Sequence, residues 1–155
     1  MSQTLFATVT TLANAGKVRR ETRNGRDVYI VPSYTLPDDI VMNGIKYPAK
    51  EIAKSYNTLD RTPAPLGHPI IDGDLVSASD PEAQNLFGIG AFNANVRQDE
   101  GRIYLEKIID VEIANATARG RRVVNALAEG QPIHTSTGLI GTLTNEGDQK
   151  VIRDI

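Results

Sequence analysis

Residues Gln131–Ile140, with the sequence QPIHTSTGLI, form the stretch around which the rest of the chain is organised. If this stretch is a strand, its side chains alternate between two faces, and Ser136 shares a face with His134 and Gly138. A small hydroxyl beside a glycine leaves open space along the strand, which suits a nucleophile that a substrate chain crosses. Ser136 is therefore a candidate nucleophile. The alternative is a structural hydroxyl, because Thr-Ser-Thr is also ordinary strand composition.

The composition limits the class of protein. A chain of 155 residues suits one domain whose core is large enough to need no cross-links. The chain has no cysteine, which excludes a disulfide framework, a zinc ribbon and a cysteine nucleophile. Its formal net charge of −2 gives no electrostatic reason to expect nucleic acid or an anionic membrane as a partner.

The two ends of the chain carry further expectations. The N-terminal residues Met1–Ala7 lack a basic start before an apolar run, and no apolar stretch approaches the ~20 residues that cross a bilayer. We therefore expect an unsecreted, cytosolic protein. Residues Val151–Ile155 are typical of the body of a strand, with no turn or cap after them. We expect residues 1–155 to be a single domain that is truncated or processed at its C-terminus.

Two Asn-Gly pairs predict tight hairpins, because both central residues of the favoured turn take positive φ. They are Asn24-Gly25, between segments 17–22 and 27–31, and Asn43-Gly44, between segments 40–42 and 45–47. Apolar composition predicts further strands over 4–12, 75–78, 86–96 and 102–109, the last two forming a long hairpin. Gly88 and Gly90 indicate close packing or a bulge in that hairpin.

Helical spacing and capping residues predict three helices. One covers 49–58, with Pro48 at its first position, and a brief one starts at Ser79-Asp80-Pro81-Glu82 and ends near Asn85. The longest covers 115–129 and ends at Gly130, with Ala118, Val123, Val124 and Leu127 on its buried face. Its arginines 119, 121 and 122 either contact an anionic partner or form a solvated face.

These elements favour an α+β fold. Eight or nine short, mostly antiparallel strands with few helices indicate a closed or partly closed β-barrel with helices packed outside. Residues Arg61–Pro69 contain three prolines and a glycine, so this segment is extended rather than helical. It holds His68 on a stiff backbone, because the residue before a proline is restricted to extended conformations.

Three features occur in a fixed order: the extended Leu66-Gly67-His68-Pro69, the helix 115–129, and Ser136-Thr137-Gly138 immediately after it. This order resembles the prohead maturation proteases of tailed phages, which are related to the herpesvirus assemblins. The resemblance extends from about Asp27 to Thr142 and implies an assemblin-like, mostly antiparallel β-barrel with flanking helices. It also implies that Ser136 is the nucleophile and His68 the general base.

The resemblance implies a third residue on a strand after the serine. Asp154 is the only acid on a plausible strand there, and Asp72 and Asp74 are local alternatives near His68. His134 competes with His68 as the base, but it lies roughly 7 Å from Ser136 along a strand, which is too far for a direct bond. An arginine-bearing segment after the serine serves the oxyanion in this family, which makes Arg153 a candidate, with a surface charge as the alternative.

The function that the resemblance implies is a serine endopeptidase of capsid maturation, located within the procapsid in the host cytoplasm. Its partners would be capsid and scaffold proteins as substrates, and it would cleave itself; a homo-oligomer is possible, and no cofactor, nucleic acid or membrane is implied. One alternative is a non-catalytic capsid-assembly or scaffold-binding module, in which His68 and Ser136 are structural. Another is a hydrolase of small esters or amides that uses the same two residues.

Overall fold

The computed structural model describes residues 3–13, 17–65, 68–131, 133–153 and 155, and for 3–13 and 133–140 it describes the backbone alone. The described strands are Gln3–Ala13 (β1), Arg19–Arg23 (β2), Arg26–Thr35 (β3), Ile40–Met42 (β4), Ile45–Tyr47 (β5), Ile70–Ile71 (β6), Asp74–Leu75 (β7), Ala91–Asp99 (β8), Arg102–Asp110 (β9), Ile133–Glu146 (β10) and Gln149–Arg153 (β11). The described α-helices are Ala49–Ser55 (α1), Pro81–Phe87 (α2), Val111–Asn115 (α3) and Ala118–Ala128 (α4), and a 3-10 helix, Tyr56–Leu59, follows α1.

The described strands form two larger sheets and one small hairpin. The five-stranded sheet has the order β1-β10-β11-β5-β4, the four-stranded sheet has the order β2-β3-β9-β8, and β6 pairs with β7. Neighbouring strands are antiparallel except β5 and β11, which run parallel. The fold is therefore α+β and mostly antiparallel, as predicted.

The predicted β-barrel is wrong: the described strands do not close into one ring. At one end of the five-stranded sheet, β5 meets β11 over only two residue pairs, and β4 and β5 have three residues each. The outer edge of β8 is occupied by the segment Arg61–Ala64 instead of a strand of the other sheet, and the prolines beside this segment's bonds cannot extend a ladder. The likeness to herpesvirus assemblins stays a prediction.

The two Asn-Gly hairpins are confirmed. Asn24 and Gly25 have φ of 51° and 75°, and Asn43 and Gly44 have φ of 54° and 76°. Asp72 and Gly73, with φ of 53° and 85°, form a similar turn that was not predicted. This turn joins β6 to β7, so the strand expected over 75–78 lies at Asp74–Leu75 instead.

The long hairpin of β8 and β9 is confirmed, but its first strand starts later than predicted. Asp80 caps α2 by accepting a hydrogen bond from the Ala83 amide at 3.0 Å, and the helix continues to Phe87, beyond Asn85. The strand consequently begins at Ala91 rather than Leu86. A bulge lies between Ala94 and Arg97, whereas Gly90 shows the predicted close packing, because a Cβ added there would lie 2.5 Å from Ile113 Cγ2.

The helix predicted over 115–129 is confirmed as the shorter α4, Ala118–Ala128, and the separate helix α3, Val111–Asn115, which precedes it, was not predicted. Thr117 has extended dihedral angles, and its hydroxyl accepts a hydrogen bond from the Gly120 amide at 3.0 Å, so α4 starts anew after α3. Ala118, expected on the buried face, is exposed, whereas Val123, Val124 and Leu127 are buried as predicted. Pro48 precedes α1 in an extended conformation and caps it, instead of forming its first turn.

Three apolar clusters hold the described elements together. The two faces of the four-stranded sheet alternate along each strand: one face packs Tyr29, Val31 and Ile109 against α3 and α4, and the opposite face carries Val28, Ile30, Ala94 and Ile108. The third cluster joins the two large sheets and α1, and consists of Leu36, Tyr47, Ile52, Ile103 and Ile152. Among the described helices, none is long and apolar enough to cross a membrane.

Candidate active site

The segment that leads to His68 is fastened along the outer edge of β8. The Arg61 amide donates to the Asn93 carbonyl at 2.8 Å, and the Asn93 amide donates to the Thr62 carbonyl at 2.9 Å. The Ala64 amide then donates to the Ala91 carbonyl at 2.9 Å. On the other side of His68, the Pro69 carbonyl accepts from the Val76 amide at 3.1 Å. His68 therefore lies between two fixed points of the backbone.

The imidazole of His68 is partly buried. Burial disfavours the charged form, and it holds the pKa of His68 below the usual histidine value of 6.5. The neutral ring therefore predominates near neutral pH. A neutral imidazole can accept a proton, as a general base must.

Ser136 lies in β10, opposite Thr10 of β1. The strand is 14 residues long and is shared between two neighbours. β1 pairs with it from Ile133 to Leu143, whereas β11 pairs with its other edge only from Thr142 to Glu146. No other described strand pairs with that second edge beside Ser136. The side chains of Ser136 and His134 lie outside the described part of the chain, as does Asp154, so the structure gives no distance between the predicted catalytic groups.

The start of β10 is positioned by α4. The buried face of α4 packs on the four-stranded sheet through Val123, Val124 and Leu127. The helix ends at Gly130, which has φ of 72°, and the Gln131 amide donates back to the Ala126 carbonyl at 2.9 Å. The sequence order of helix, glycine and serine-bearing strand thus corresponds to a docked helix that leads directly into β10.

The local alternatives for the third residue lie in the turn of the small hairpin. Asp72 is one of the two turn residues between β6 and β7, and Asp74 starts β7. Both side chains are exposed. Among the described residues, no group of three or more histidine and acidic side chains is arranged to hold a metal ion.

Arg153, the candidate oxyanion donor, is directed toward two carboxylates. Its Nη2 lies 2.7 Å from Glu146 Oε1, and its Nη1 lies 3.4 Å from Glu51 Oε1. Glu51 is buried, with only 5% of its surface exposed, so a cation beside it is needed. Hydrogen bonds from Arg153, and then from Thr144, hold the pKa of Glu146 below its usual value. In this arrangement Arg153 ties β11 to β10 and to α1.

A polar chain that was not predicted from the sequence supports the His68 segment. Lys107 of β9 lies 3.5 Å through Nζ from Asn93 Oδ1, and Asn93 Nδ2 donates to Thr62 Oγ1 at 2.9 Å. Burial lowers the pKa of Lys107 to about 8. The alternating pattern of β9 does not predict a buried amine at Lys107, because a lysine in an antiparallel strand usually indicates a solvated face.

No protein-family model and no curated protein matches the chain. A solved structure does match: the bacteriophage T4 capsid assembly protease, gp21. The match covers 97% of this chain and 90% of that chain, with a TM-score of 0.67 and 11% sequence identity. The resemblance to phage prohead proteases that the order of motifs predicted is thereby confirmed at the level of the fold. The chain shares the fold of the T4 capsid assembly protease along nearly its whole length.

Proposed function

We propose that this chain is a serine endopeptidase of phage capsid maturation. In this proposal it acts within the procapsid in the host cytoplasm, cleaves scaffold and capsid proteins, and cleaves itself. The observation that carries the proposal is the shared fold with a capsid assembly protease over 97% of the chain. Residues 1–155 would act as one protease domain, alone or in a homo-oligomer.

The proposed chemistry is acyl transfer by Ser136 and His68. His68 accepts the hydroxyl proton as Ser136 Oγ attacks the peptide carbonyl, and then gives a proton to the departing amine. Water, deprotonated by the same imidazole, releases the acyl group from Ser136. The lowered pKa of His68 supports the role of base, because it keeps the ring neutral before the attack. Asp154 would orient the imidazole and stabilise its charged form. Acyl transfer of this kind draws on side chains and backbone amides and requires no cofactor.

The edge of β10 beside Ser136 suggests how the substrate lies. β11 pairs with this edge only beyond Gly141, so among the described strands the backbone next to Ser136 has a neighbour on one side alone. An extended peptide added along the open edge would form backbone hydrogen bonds and bring its carbonyl groups past residue 136. An extended, unfolded cleavage segment is therefore the expected substrate.

The test is substitution of Ser136 by alanine in a full-length precursor, with release of the mature chain followed by mass spectrometry. We expect processing to fall by roughly four orders of magnitude or more, because the oxygen that forms the acyl intermediate is lost. A fluorophosphonate probe should label the unsubstituted protein at Ser136 and should not label the variant. Ser77→Ala, at an exposed serine outside β10, is the matched control.

Normal processing by the Ser136→Ala variant would overturn the proposal. If the probe also failed to label the unsubstituted chain, the non-catalytic capsid-assembly or scaffold-binding module would be the better description. Labelling of Ser136 together with hydrolysis of simple esters but not of peptides would instead indicate a small-molecule hydrolase.

A further inference from the structure

A cleft of about 570 Å³ lies on the four-stranded sheet, at the end that carries the Asn24-Gly25 turn. Its apolar lining belongs to the face of Val28, Ala94 and Ile108, with the ring of Phe92 beside them. Clefts of this volume with an apolar lining and a few polar groups are typical ligand sites. The cleft is separate from the strand that carries Ser136, because none of its lining residues comes from β10 among those described.

Three arginines line this cleft, together with two aspartates. Arg26 is paired with Asp110 and contacts Glu112 at 3.7 Å, so its charge is already compensated. Arg23 reaches Glu21, outside the cleft, at 3.0 Å. Arg61 differs from both: within the described residues it forms no ion pair, and its guanidinium lies 5.8 Å from the centre of the Phe92 ring. The wall therefore carries an exposed cation next to an apolar surface.

The backbone of Arg61 is in a strained conformation. Its φ of 65° lies in the left-handed region, which few residues other than glycine adopt. Such a conformation is strained and persists where the surrounding structure imposes it. Here the Arg61 amide is hydrogen-bonded to the Asn93 carbonyl on the edge of β8, and the side chain lies over Phe92.

We propose that this cleft binds an acidic segment of a protein substrate, with a carboxylate on Arg61 and an apolar side chain on the Phe92 and Val28 surface. Naming the ligand as a substrate segment rests on the proposed function; the chemistry of the site, a carboxylate joined to an apolar body, does not. A free organic acid has the same chemistry and is the other source that an experiment must separate.

The position of the cleft limits where such a segment lies in the substrate. Arg61 and His68 are joined by a chain that spans at most about 25 Å when fully extended. In a straight line, the distance from Arg61 to His68 therefore corresponds to no more than roughly seven or eight extended residues of a bound peptide. The acidic segment would lie within about this number of residues of the cleaved bond, and would determine which proteins are bound without contacting the bond itself.

The experiment measures binding in the Ser136→Ala protein, so that cleavage plays no part. The probe is a short fluorescein-labelled peptide of alternating glutamate and leucine, followed by fluorescence anisotropy, and the same peptide with glutamine in place of glutamate is its control. We expect the glutamine peptide to bind at least roughly tenfold more weakly, because hydrogen bonds to charged groups contribute about 1.5–3 kcal/mol. Arg61→Asn should weaken binding of the acidic peptide by a similar factor. Asparagine is chosen because it tolerates the positive φ of this position.

Arg102→Gln is the matched variant. Arg102 also stacks on an aromatic ring, with its guanidinium 3.6 Å from the centre of the Tyr34 ring, but it lies roughly 20 Å from Ile108 along β9. We expect Arg102→Gln to bind the acidic peptide with the affinity of the parent protein. Should thermal unfolding show that Arg61→Asn is misfolded, Arg61→Gln, which removes the same charge, provides a second test.

Equal binding of the acidic peptide by the folded Arg61 variants and by the parent protein would overturn the proposal. So would competition by glutarate at the peptide's own affinity, which would assign the cleft to free organic acids. The binding experiment measures no cleavage, so its result remains valid even if the peptidase proposal is wrong. Conversely, failure of peptide binding would not affect the test of Ser136.

Discussion

The amine of Lys107 is held in a partly buried position on β9, between Asn93 and the neighbouring strand β3. Burial lowers its pKa from 10.5 to about 8, so the folded protein releases this proton at a lower pH than the unfolded chain does. Between these two values the unfolded chain binds more protons. The contribution of Lys107 to stability must therefore rise as the pH rises through this window, and must fall as the amine becomes protonated.

We predict that the free energy of unfolding of the parent protein, measured relative to Lys107→Met, increases by roughly 1–2 kcal/mol between about pH 7 and about pH 10. This figure is smaller than the full shift implies, because the side chain is not wholly buried. Urea unfolding at a series of pH values measures the difference, with Lys150→Met at an exposed position as control. A difference that stays constant, or that decreases with pH, would contradict the burial of the amine.

At the scale of single residues, the sequence indicated what a side chain can do but not where it lies. The glycine before His68 and the proline after it predict a restrained imidazole, and its partly buried ring fits the role of a base. The pairing of His68 with Ser136 stays a prediction, because an order along the chain contains no distance. Lys107 and Arg61 were not singled out, since each acquires its surroundings from elements distant in sequence: Asn93 for the first, Phe92 for the second.

At the scale of elements, the approach of α3 to α4 depends on one glycine. A Cβ added at Gly120 would lie 2.0 Å from the Ala114 carbonyl oxygen, and the atoms in the way are backbone. In an exposed helix interior, glycine to alanine would stabilise the helix by roughly 0.8–1.0 kcal/mol. At Gly120 the clash with the Ala114 backbone must outweigh that gain, because neither α3 nor α4 can move without disturbing its packing on the four-stranded sheet.

We predict that Gly120→Ala lowers the free energy of unfolding by about 1–3 kcal/mol, as overpacked sites do. Chemical denaturation measures the change. Asn125→Ala, on the exposed side of the same helix, is the control and should leave stability unchanged or slightly raised. Stabilisation by Gly120→Ala would show that α3 and α4 are farther apart than described.

The elements that were predictable are those whose cause is local. Asn24-Gly25 and Asn43-Gly44 form turns because their own backbone preferences demand it, and Asp72-Gly73 follows the same rule although it was not recognised. The start of α4 is also local in origin, since Thr117 is a good cap, although the apolar spacing alone predicts a start at Asn115. The closure of a sheet into a barrel has no local cause, because it depends on which distant edges meet.

At the scale of the whole molecule, one apolar cluster among the described side chains joins the two large sheets. Ile152 of β11 is fully buried there, with Tyr47 and Ile52 from its own side and Ile103 from the four-stranded sheet. Ile152→Ala should therefore lower the free energy of unfolding by about 2–5 kcal/mol, through lost burial and the cavity that remains. Val41→Ala, at a residue that is 53% exposed, should change it by less than about 0.5 kcal/mol.

Urea unfolding followed by tyrosine fluorescence and by far-ultraviolet circular dichroism measures this effect. The two signals should coincide in the parent protein and shift together in Ile152→Ala, because loss of the cluster affects both sheets at once. A shift confined to one signal would mean that the sheets unfold independently. A loss below about 1 kcal/mol would mean that the cluster contributes little to their union.

Because β10 pairs with both β1 and β11, the register of this strand is fixed at two places. One neighbour aligns the strand from Ile133 to Leu143 and another aligns it from Thr142 to Glu146, so its position along the sheet is set twice. A misalignment by one step in either ladder would turn side chains to the wrong surface and would conflict with the other ladder. The position of residue 136 therefore depends in part on the far end of its own strand. A substitution that disrupts the β10–β11 hairpin should displace Ser136 although Ser136 lies outside the paired residues of that hairpin.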